Sequence, residues 1–233
     1  MTLILGLILP IVTLTVFLGG MIYRIATWRN LPAPSMTLFP APLSAPCRFG
    51  ELLKETFLFK SLLKSDKGLW TLGWTFHAML ALILLGHCRV VTWLPDRLLA
   101  SLGMTAASTD TMSFLVGTAA GVILLVCLAL LLVRRMTVPR VREVSSTGDY
   151  AALFLLLAVV LSGDAMRFFA HIDLAQTREY FRGLFTLSVV SFPENGWFTA
   201  HFLLGQVLLI YLPFSKVLHL GGIFFSRALL QRP

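Results

Sequence analysis

Five long apolar runs dominate this sequence and set what the chain can fold into. They cover residues 3–23, 70–93, 112–133, 150–169 and 197–225, each at or beyond the ~20 residues that a helix needs to cross a hydrocarbon core ~30 Å thick. No water is available in that core, so the backbone amides of such a run must bond within their own segment, and the run becomes a helix. Only 13% of the 233 residues are charged and 57% are hydrophobic, where a soluble domain carries roughly 25% charged residues. Five spans use most of the apolar residues and leave no room for a soluble catalytic domain. The expectation is an all-α integral membrane protein, a five-transmembrane-helix bundle forming a single membrane domain over residues 1–233. The first run follows Met1-Thr2 with no basic stretch before it and is too long for a signal-peptide core, so it reads as a retained span.

Basic residues give the expected orientation. Arg24, Arg29, Arg48, Lys54, Lys60, Lys64 and Lys67 lie in the first loop (24–69), Arg134, Arg135, Arg140 and Arg142 in the third, and Arg227 and Arg232 in the tail. The second loop holds Arg89 and Arg97, and the fourth (170–196), together with the end of the span before it, holds Arg167, Arg178 and Arg182. Because cytoplasmic loops are enriched in Lys and Arg, this pattern places the N-terminus outside and the C-terminus in the cytoplasm. The formal charge of +8 thus marks helix ends; the lipid bilayer is an expected partner and nucleic acid is not. Aromatic residues near the run ends (Tyr23, Trp28, Trp70, Trp74, Trp93, Tyr150, Trp197) suit the headgroup region.

The first loop opens with Pro32, Pro34, Pro40, Pro42 and Pro46, then places Phe49, Leu52, Leu53, Phe57 and Lys60 at near-helical spacing. That second part fits an amphipathic helix resting in the headgroups, and equally a docking segment for a partner subunit. The outer loop is expected to be helical over 177–184 and extended after it. Cys47, Cys88 and Cys127 are about forty residues apart and form no zinc, covalent-haem or iron–sulfur motif, so any such centre belongs to a partner. Cys88 reads as a small packing residue.

Four of the five histidines carry more information, because His77, His87, His201 and His219 fall inside expected spans, where ionisable groups are costly and usually functional. With the second span running outward and the fifth inward, His77 and His219 lie toward the cytoplasm and His87 and His201 toward the outside. Two facing pairs result, the arrangement expected if two haems are each clamped between imidazoles, one near each membrane face. His201 and His219 are 18 residues apart, five helical turns or about 27 Å, and share a helix face; the 10-residue step from His77 to His87 rises only about 15 Å and rotates by about −80°. Equal haem levels therefore need tilt or bending, and Pro213 is placed to supply a kink. Gly73, Gly86 and Gly205 leave space for a flat macrocycle, although glycine is frequent in membrane helices.

A 10-residue histidine pair on the second of five helices and an 18-residue pair on the fifth resemble the gamma subunit of respiratory nitrate reductase over nearly the whole chain. The stretches LGWTFHAMLALILLGHCRVV and HFLLGQVLLIYLPFSKVLHLGGIFF look more like its relatives in sulfate- and sulfur-metabolising prokaryotes. Those are the cytochrome b subunits of membrane complexes linked to dissimilatory sulfite reductase, or of related complexes with multihaem cytochromes c. The resemblance implies two haem b groups with His77, His87, His201 and His219 as axial iron ligands, in the prokaryotic cytoplasmic (inner) membrane. It further implies electron exchange between menaquinone and a cytoplasmic iron–sulfur partner that resembles the catalytic subunit of heterodisulfide reductase. An external multihaem cytochrome c often completes such complexes.

Other polar residues fit this picture with alternatives beside them. Haem propionates call for cations, and Arg89, two residues after His87, and Lys216, one turn before His219, are the candidates; Lys216 equally fits snorkelling to the headgroups. Asp164, Arg167 and His171 lie one turn apart at the outer end of the fourth span. They form a candidate quinone site, with hydrogen-bonding groups and a proton route, or else an interfacial Asp–Arg pair with a solvated histidine. Two rival functions remain: a cofactor-free membrane anchor, and a metal transporter with histidine–carboxylate clusters at one depth.

Overall fold

The structure, a computed structural model, describes residues 3–30, 45–170, 172–188 and 191–219. Among these the chain is all-α. It forms α1 (Leu9–Arg29, preceded by a π-helical turn at Ile4–Ile8), α2 (Ala45–Leu58), α3 (Lys60–Ser65), α4 (Lys67–Val91), α5 (Leu94–Ser101), α6 (Ala106–Thr137), α7 (Pro139–Glu143), α8 (Thr147–Phe169), α9 (Leu174–Phe185) and α10 (Gly196–Tyr211). Among the described residues five helices are long and apolar enough to cross a membrane: Ile4–Arg29, Lys67–Val91, Ala106–Thr137, Thr147–Phe169 and Gly196–Phe214. Each overlaps one of the five apolar runs, the fifth as far as Phe214.

Polar capping residues set several ends that hydrophobicity does not reveal. Thr105 Oγ1 accepts from the Ser108 amide at 3.2 Å and starts α6 before its apolar run begins. The Asp149 carboxylate accepts from both the amide and the hydroxyl of Ser146 at 2.8 Å, which extends α8 by one turn. Asp173 caps α9 by accepting from Ala175 and Gln176. The fifth span differs most from its expected course. Its α-helix ends at Tyr211 and tightens into 3-10 turns at Leu212–Phe214 and Lys216–Leu218. Pro213 lacks an amide hydrogen and cannot continue the α-helical ladder. The five-turn arithmetic between His201 and His219 assumed an unbroken helix, so it does not hold. Residues beyond 219 lie outside those described.

The chain divides into two compact units, residues 1–13 with 75–208 and residues 14–74 with 209–233. In the first, α6 packs along α8, burying Ala120, Gly121, Leu124, Cys127 and Leu128 at helical spacing. Gly117 and Gly121 are four residues apart, the small-residue spacing that lets membrane helices approach. A methyl group added at Gly117 would overlap the Arg167 guanidinium, and one at Gly121 the Asp164 carboxylate. A second nucleus gathers Tyr180, Phe198 and Phe202 with Phe181 and Phe192, their rings mostly edge to face. The Tyr180 hydroxyl donates to the Gly6 carbonyl at 2.8 Å, and burial pushes its pKa up to about 12. That bond falls in the π-helical turn, where the ladder is already rearranged.

In the second unit the first loop is helical, as its periodicity predicts. Glu55 accepts from the amide and hydroxyl of Ser61 and so caps α3, while Glu51 accepts from Lys60 at 2.6 Å and Lys54 at 3.1 Å, which holds its carboxyl below the usual range. The indoles of Trp70 and Trp74 donate to the Leu58 and Phe57 carbonyls, satisfying the C-terminal end of α2. Phe49, Leu53 and Phe57 form an exposed stripe along α2. On α1, Gly20 lies against Pro213, and Arg24 Nε donates to the Pro213 carbonyl at 3.0 Å.

The α1 glycines give a paired test. A Cβ at Gly20 would come within 2.7 Å of Pro213 Cβ, whereas one at Gly19 meets nothing within 4 Å. Gly20→Ala is expected to destabilise the protein by roughly 1–3 kcal/mol through overpacking. Gly19→Ala is expected to be neutral or stabilising by up to about 1 kcal/mol through helix propensity. Thermal unfolding of both variants in detergent checks the difference.

Candidate functional site

Within the first unit, His87 on α4 and His201 on α10 face each other with ring centroids 6.0 Å apart and planes inclined by 29°. That separation is too long for face-to-face stacking contact. An imidazole nitrogen sits about 2 Å from a bound metal with its ring centre roughly 1 Å further away, so two imidazoles in line on one ion have centres about 6 Å apart.

Both rings are held by the same nitrogen. His87 Nδ1 is 2.8 Å from the Ile83 carbonyl, one turn back on α4, and His201 Nδ1 is 3.1 Å from the Val159 carbonyl on α8. A carbonyl only accepts, so Nδ1 carries the hydrogen in each ring. In the neutral imidazole this leaves the Nε2 lone pair for a metal, and such a carbonyl partner is the usual outer support of a ligating histidine. Ser162 Oγ lies 3.0 Å from His201 Nδ1, and Gly163 lets the ring approach α8 so closely that a Cβ there would come within 3.1 Å of Cε1. Gly86, next to His87, and Gly205, one turn past His201, have nothing within 4 Å of an added Cβ.

The other expected residues have different surroundings. His77 is half-buried on α4, in edge-on contact with Phe76 at 4.9 Å. His219 is exposed and follows the second 3-10 turn, with Nδ1 3.4 Å from the Lys216 carbonyl. Lys216 is exposed as well. Cys88 is exposed, with its thiol toward the Leu84 carbonyl of its own helix. His171 lies outside the described residues.

Asp164 is buried, 8% exposed, and its Oδ2 has no hydrogen-bond partner. Arg167 reaches along α6 toward the Ser113 carbonyl at 3.5 Å rather than forming a salt bridge with Asp164. The two side chains thus fill the spaces beside Gly121 and Gly117 on α6, while the neighbouring Ser162 and Gly163 meet His201. The self-satisfied Asp–Arg pair weighed from the sequence does not form.

Arg89 also departs from expectation. It is 8% exposed and donates to Asp96 on α5 at 2.6 Å and to Asp110 on α6 at 2.7 Å, so two carboxylates occupy the guanidinium that the sequence assigned to a propionate. Arg178 on α9 completes the cluster by donating to Asp96 and to the Arg89 carbonyl. Partial burial raises the Asp96 pKa, but Arg89 and Arg178 outweigh it and hold the carboxyl below the usual aspartate range. Among the described residues no group of three or more His, Cys, Asp or Glu side chains could hold a metal ion, so the cluster that the metal-transport reading needs is not found there.

Known proteins point the same way. Residues 59–233, which include all four span histidines, match the family described as nitrate reductase gamma subunit. The chain belongs to that family. It is 32% identical, over 96% of its length and 78% of the relative's, to the Hdr-like menaquinol oxidoreductase cytochrome b-like subunit of Archaeoglobus fulgidus. The protein of the same description from Archaeoglobus profundus is 28% identical over 94% of this chain and 76% of its own. The nitrate reductase gamma chain of Bacillus subtilis is 28% identical over 91% and 87%. This member of the family is therefore a multi-pass membrane protein related to cytochrome b-type electron-transport subunits of oxidoreductases, and that relation implies haem. The residues present fit the group, with two imidazoles whose ring centres are 6.0 Å apart, their Nδ1 atoms engaged, and open backbone at Gly86 and Gly205.

Sequence reasoning missed Ser162, Gly163, Asp96, Asp110 and Arg178. The only signal for the first two was the polar triplet Ser162-Gly163-Asp164 interrupting an apolar helix.

The pH dependence of the charged cluster follows from Asp96. Its folded pKa is lowered, so its contribution to stability is present above the unfolded value of 3.8 and is lost as pH falls through the lower, folded value. Thermal unfolding in detergent between pH 7 and pH 3 is expected to show this acid loss in the parent protein. Asp96→Asn is expected to be less stable at pH 7 and to lose less on acidification.

Proposed function

We propose that this chain is a dihaem cytochrome b, the quinone-reactive subunit of a multi-subunit oxidoreductase, exchanging electrons between menaquinol or menaquinone and a cytoplasmic iron–sulfur partner. The observation that carries this reading is the pair His87 and His201, with ring centres 6.0 Å apart and Nδ1 hydrogens engaged so that both Nε2 lone pairs are available. His77 and His219 are proposed as the second ligand pair on their spacing in the sequence. When bound, haem supplies a one-electron redox centre within the membrane.

The chain's residues hold and orient these groups and handle protons. Oxidation of a quinol releases two electrons and two protons, and Asp164, Arg167 and His171 are proposed to serve the quinone site. Asp164 is the proton acceptor of the three; its buried, unpartnered Oδ2 supports that role. Lys216 is proposed to supply positive charge near the inner propionate region, and Arg89 to do so near the outer one only by sharing its guanidinium with Asp96 and Asp110. With the N-terminus outside, as loop charge suggests, quinol oxidation near His87 and His201 releases protons outside while electrons move inward. The names of the archaeal relatives, which mention menaquinol and an Hdr-like oxidoreductase, support menaquinol as the quinone and a heterodisulfide-reductase-like subunit as the partner. An external multihaem cytochrome c fits the same kind of complex, in a prokaryotic cytoplasmic membrane.

A dithionite-reduced minus oxidised spectrum of the purified chain, with a pyridine haemochrome assay, is expected to give two haem b per polypeptide. His87→Ala and His201→Ala are each expected to abolish the same single haem signal and spare the other. Purified protein without haem favours the cofactor-free anchor, and retention of both signals in either variant refutes the pairing.

A further inference from the structure

A side chain of α8, a helix that contributes no axial histidine, reaches His201. Ser162 is buried, 6% exposed. Its Oγ donates to the Val159 carbonyl at 2.8 Å and lies 3.0 Å from His201 Nδ1. Because the hydroxyl hydrogen is directed to that carbonyl, the oxygen is left to accept from His201 Nδ1–H, which the Val159 carbonyl also receives at 3.1 Å. One imidazole N–H is thus shared between two acceptors on a single turn of α8. The glycine at 163 is part of the same arrangement, since a Cβ there would sit 3.1 Å from Cε1 and 3.3 Å from Nδ1 of the ring. Within His87's own contacts the corresponding acceptor is one carbonyl of its own helix, Ile83.

We propose that Ser162, on the turn left open by Gly163, is a positioning residue that fixes the tautomer and plane of His201 and lowers the reduction potential of the centre held by His87 and His201. This rests on the dihaem reading above. An acceptor on Nδ1–H makes the imidazole a more basic ligand. A more electron-rich ligand favours the oxidised over the reduced metal, and outer hydrogen bonding is one of the means by which a protein sets a haem potential. Val159 supplies orientation through its carbonyl, which any residue at that position would offer. Only the Ser162 hydroxyl is particular to this side chain, and a purely structural helix contact would not alter a potential.

Redox titration of the purified, haem-loaded chain, followed optically and by EPR, tests this. Parent and His201→Ala spectra first identify the signal of the His87/His201 centre; if His201→Ala loses no signal, the dihaem reading fails before Ser162 is tested. With that signal assigned, Ser162→Ala is expected to raise its potential, leave the other centre unmoved, and speed haem loss in detergent by about tenfold, the lower end of outer-shell effects on metal affinity. Ser162→Thr keeps the hydroxyl and is expected to behave as the parent. Gly163→Ala is expected to change the EPR anisotropy of the same centre by turning the ring.

Unchanged potential and haem retention in Ser162→Ala overturn the proposal while leaving the dihaem reading intact. A Ser162→Thr shift as large as that of alanine overturns it as well. If Ser162→Ala does not fold, the near-isosteric, weakly accepting Ser162→Cys decides: a raised potential at the one centre supports the role, and no shift removes it.

Discussion

The physical constraint on which the rest of this protein depends is the absence of water in the hydrocarbon core, which makes a polar group left without a partner at depth costly. Backbone amides meet the demand by forming five long helices. Side chains meet it by contacts between helices, and those contacts single out the functional region. His201 is satisfied by a carbonyl and a hydroxyl of α8, and His87 by a carbonyl of its own helix. The two imidazoles therefore have the same nitrogen occupied and the same nitrogen left for chemistry. That shared polarity gives the 6.0 Å separation of their rings a chemical meaning.

Helix α8 serves two neighbours with adjacent residues. Successive positions on an α-helix turn by about 100°, so Ser162 and Gly163 meet His201 while Asp164 and Arg167 lie over the glycines of α6. Small residues are needed on both contacts: Gly163 admits an imidazole, and Gly117 and Gly121 admit a guanidinium and a carboxylate. The close α6–α8 packing thus sets the position from which α8 contacts His201. At the end of α4, Arg89 is held by carboxylates from α5 and α6, and Arg178 of α9 joins Asp96 in the same group. Sharing of Asp96 by two arginines limits the repulsion that buried like charges would otherwise produce. This cluster lies two residues beyond His87 and ties the end of its helix to three neighbours.

Much of this architecture was legible in the amino-acid sequence. Five apolar runs correspond to five helices because hydrophobic length is a local property that needs no knowledge of neighbours. Histidines at depth stood out for the same reason, and the family resemblance drawn from their spacing agrees with the relatives that the chain matches. Helix ends were less legible, since α6 and α8 begin at polar caps that hydropathy does not weigh. Arg89 was legible as an important cation but not as a partner of Asp96 and Asp110, because those partners are 7 and 21 residues away and meet it only after folding.

Sequence alone determined that the chain crosses the membrane as helices and that His77, His87 and His201 lie within them, because residue hydrophobicity and the cost of charge in lipid act position by position. Tertiary structure alone decided which polar groups meet. It took up Arg89 in a carboxylate cluster. It also turned Asp164 toward α6 and brought Ser162 to His201 across 39 positions of chain. Those outcomes depend on the rotation and approach of whole helices, set by where small residues let backbones come close, and no periodicity within a single run encodes them.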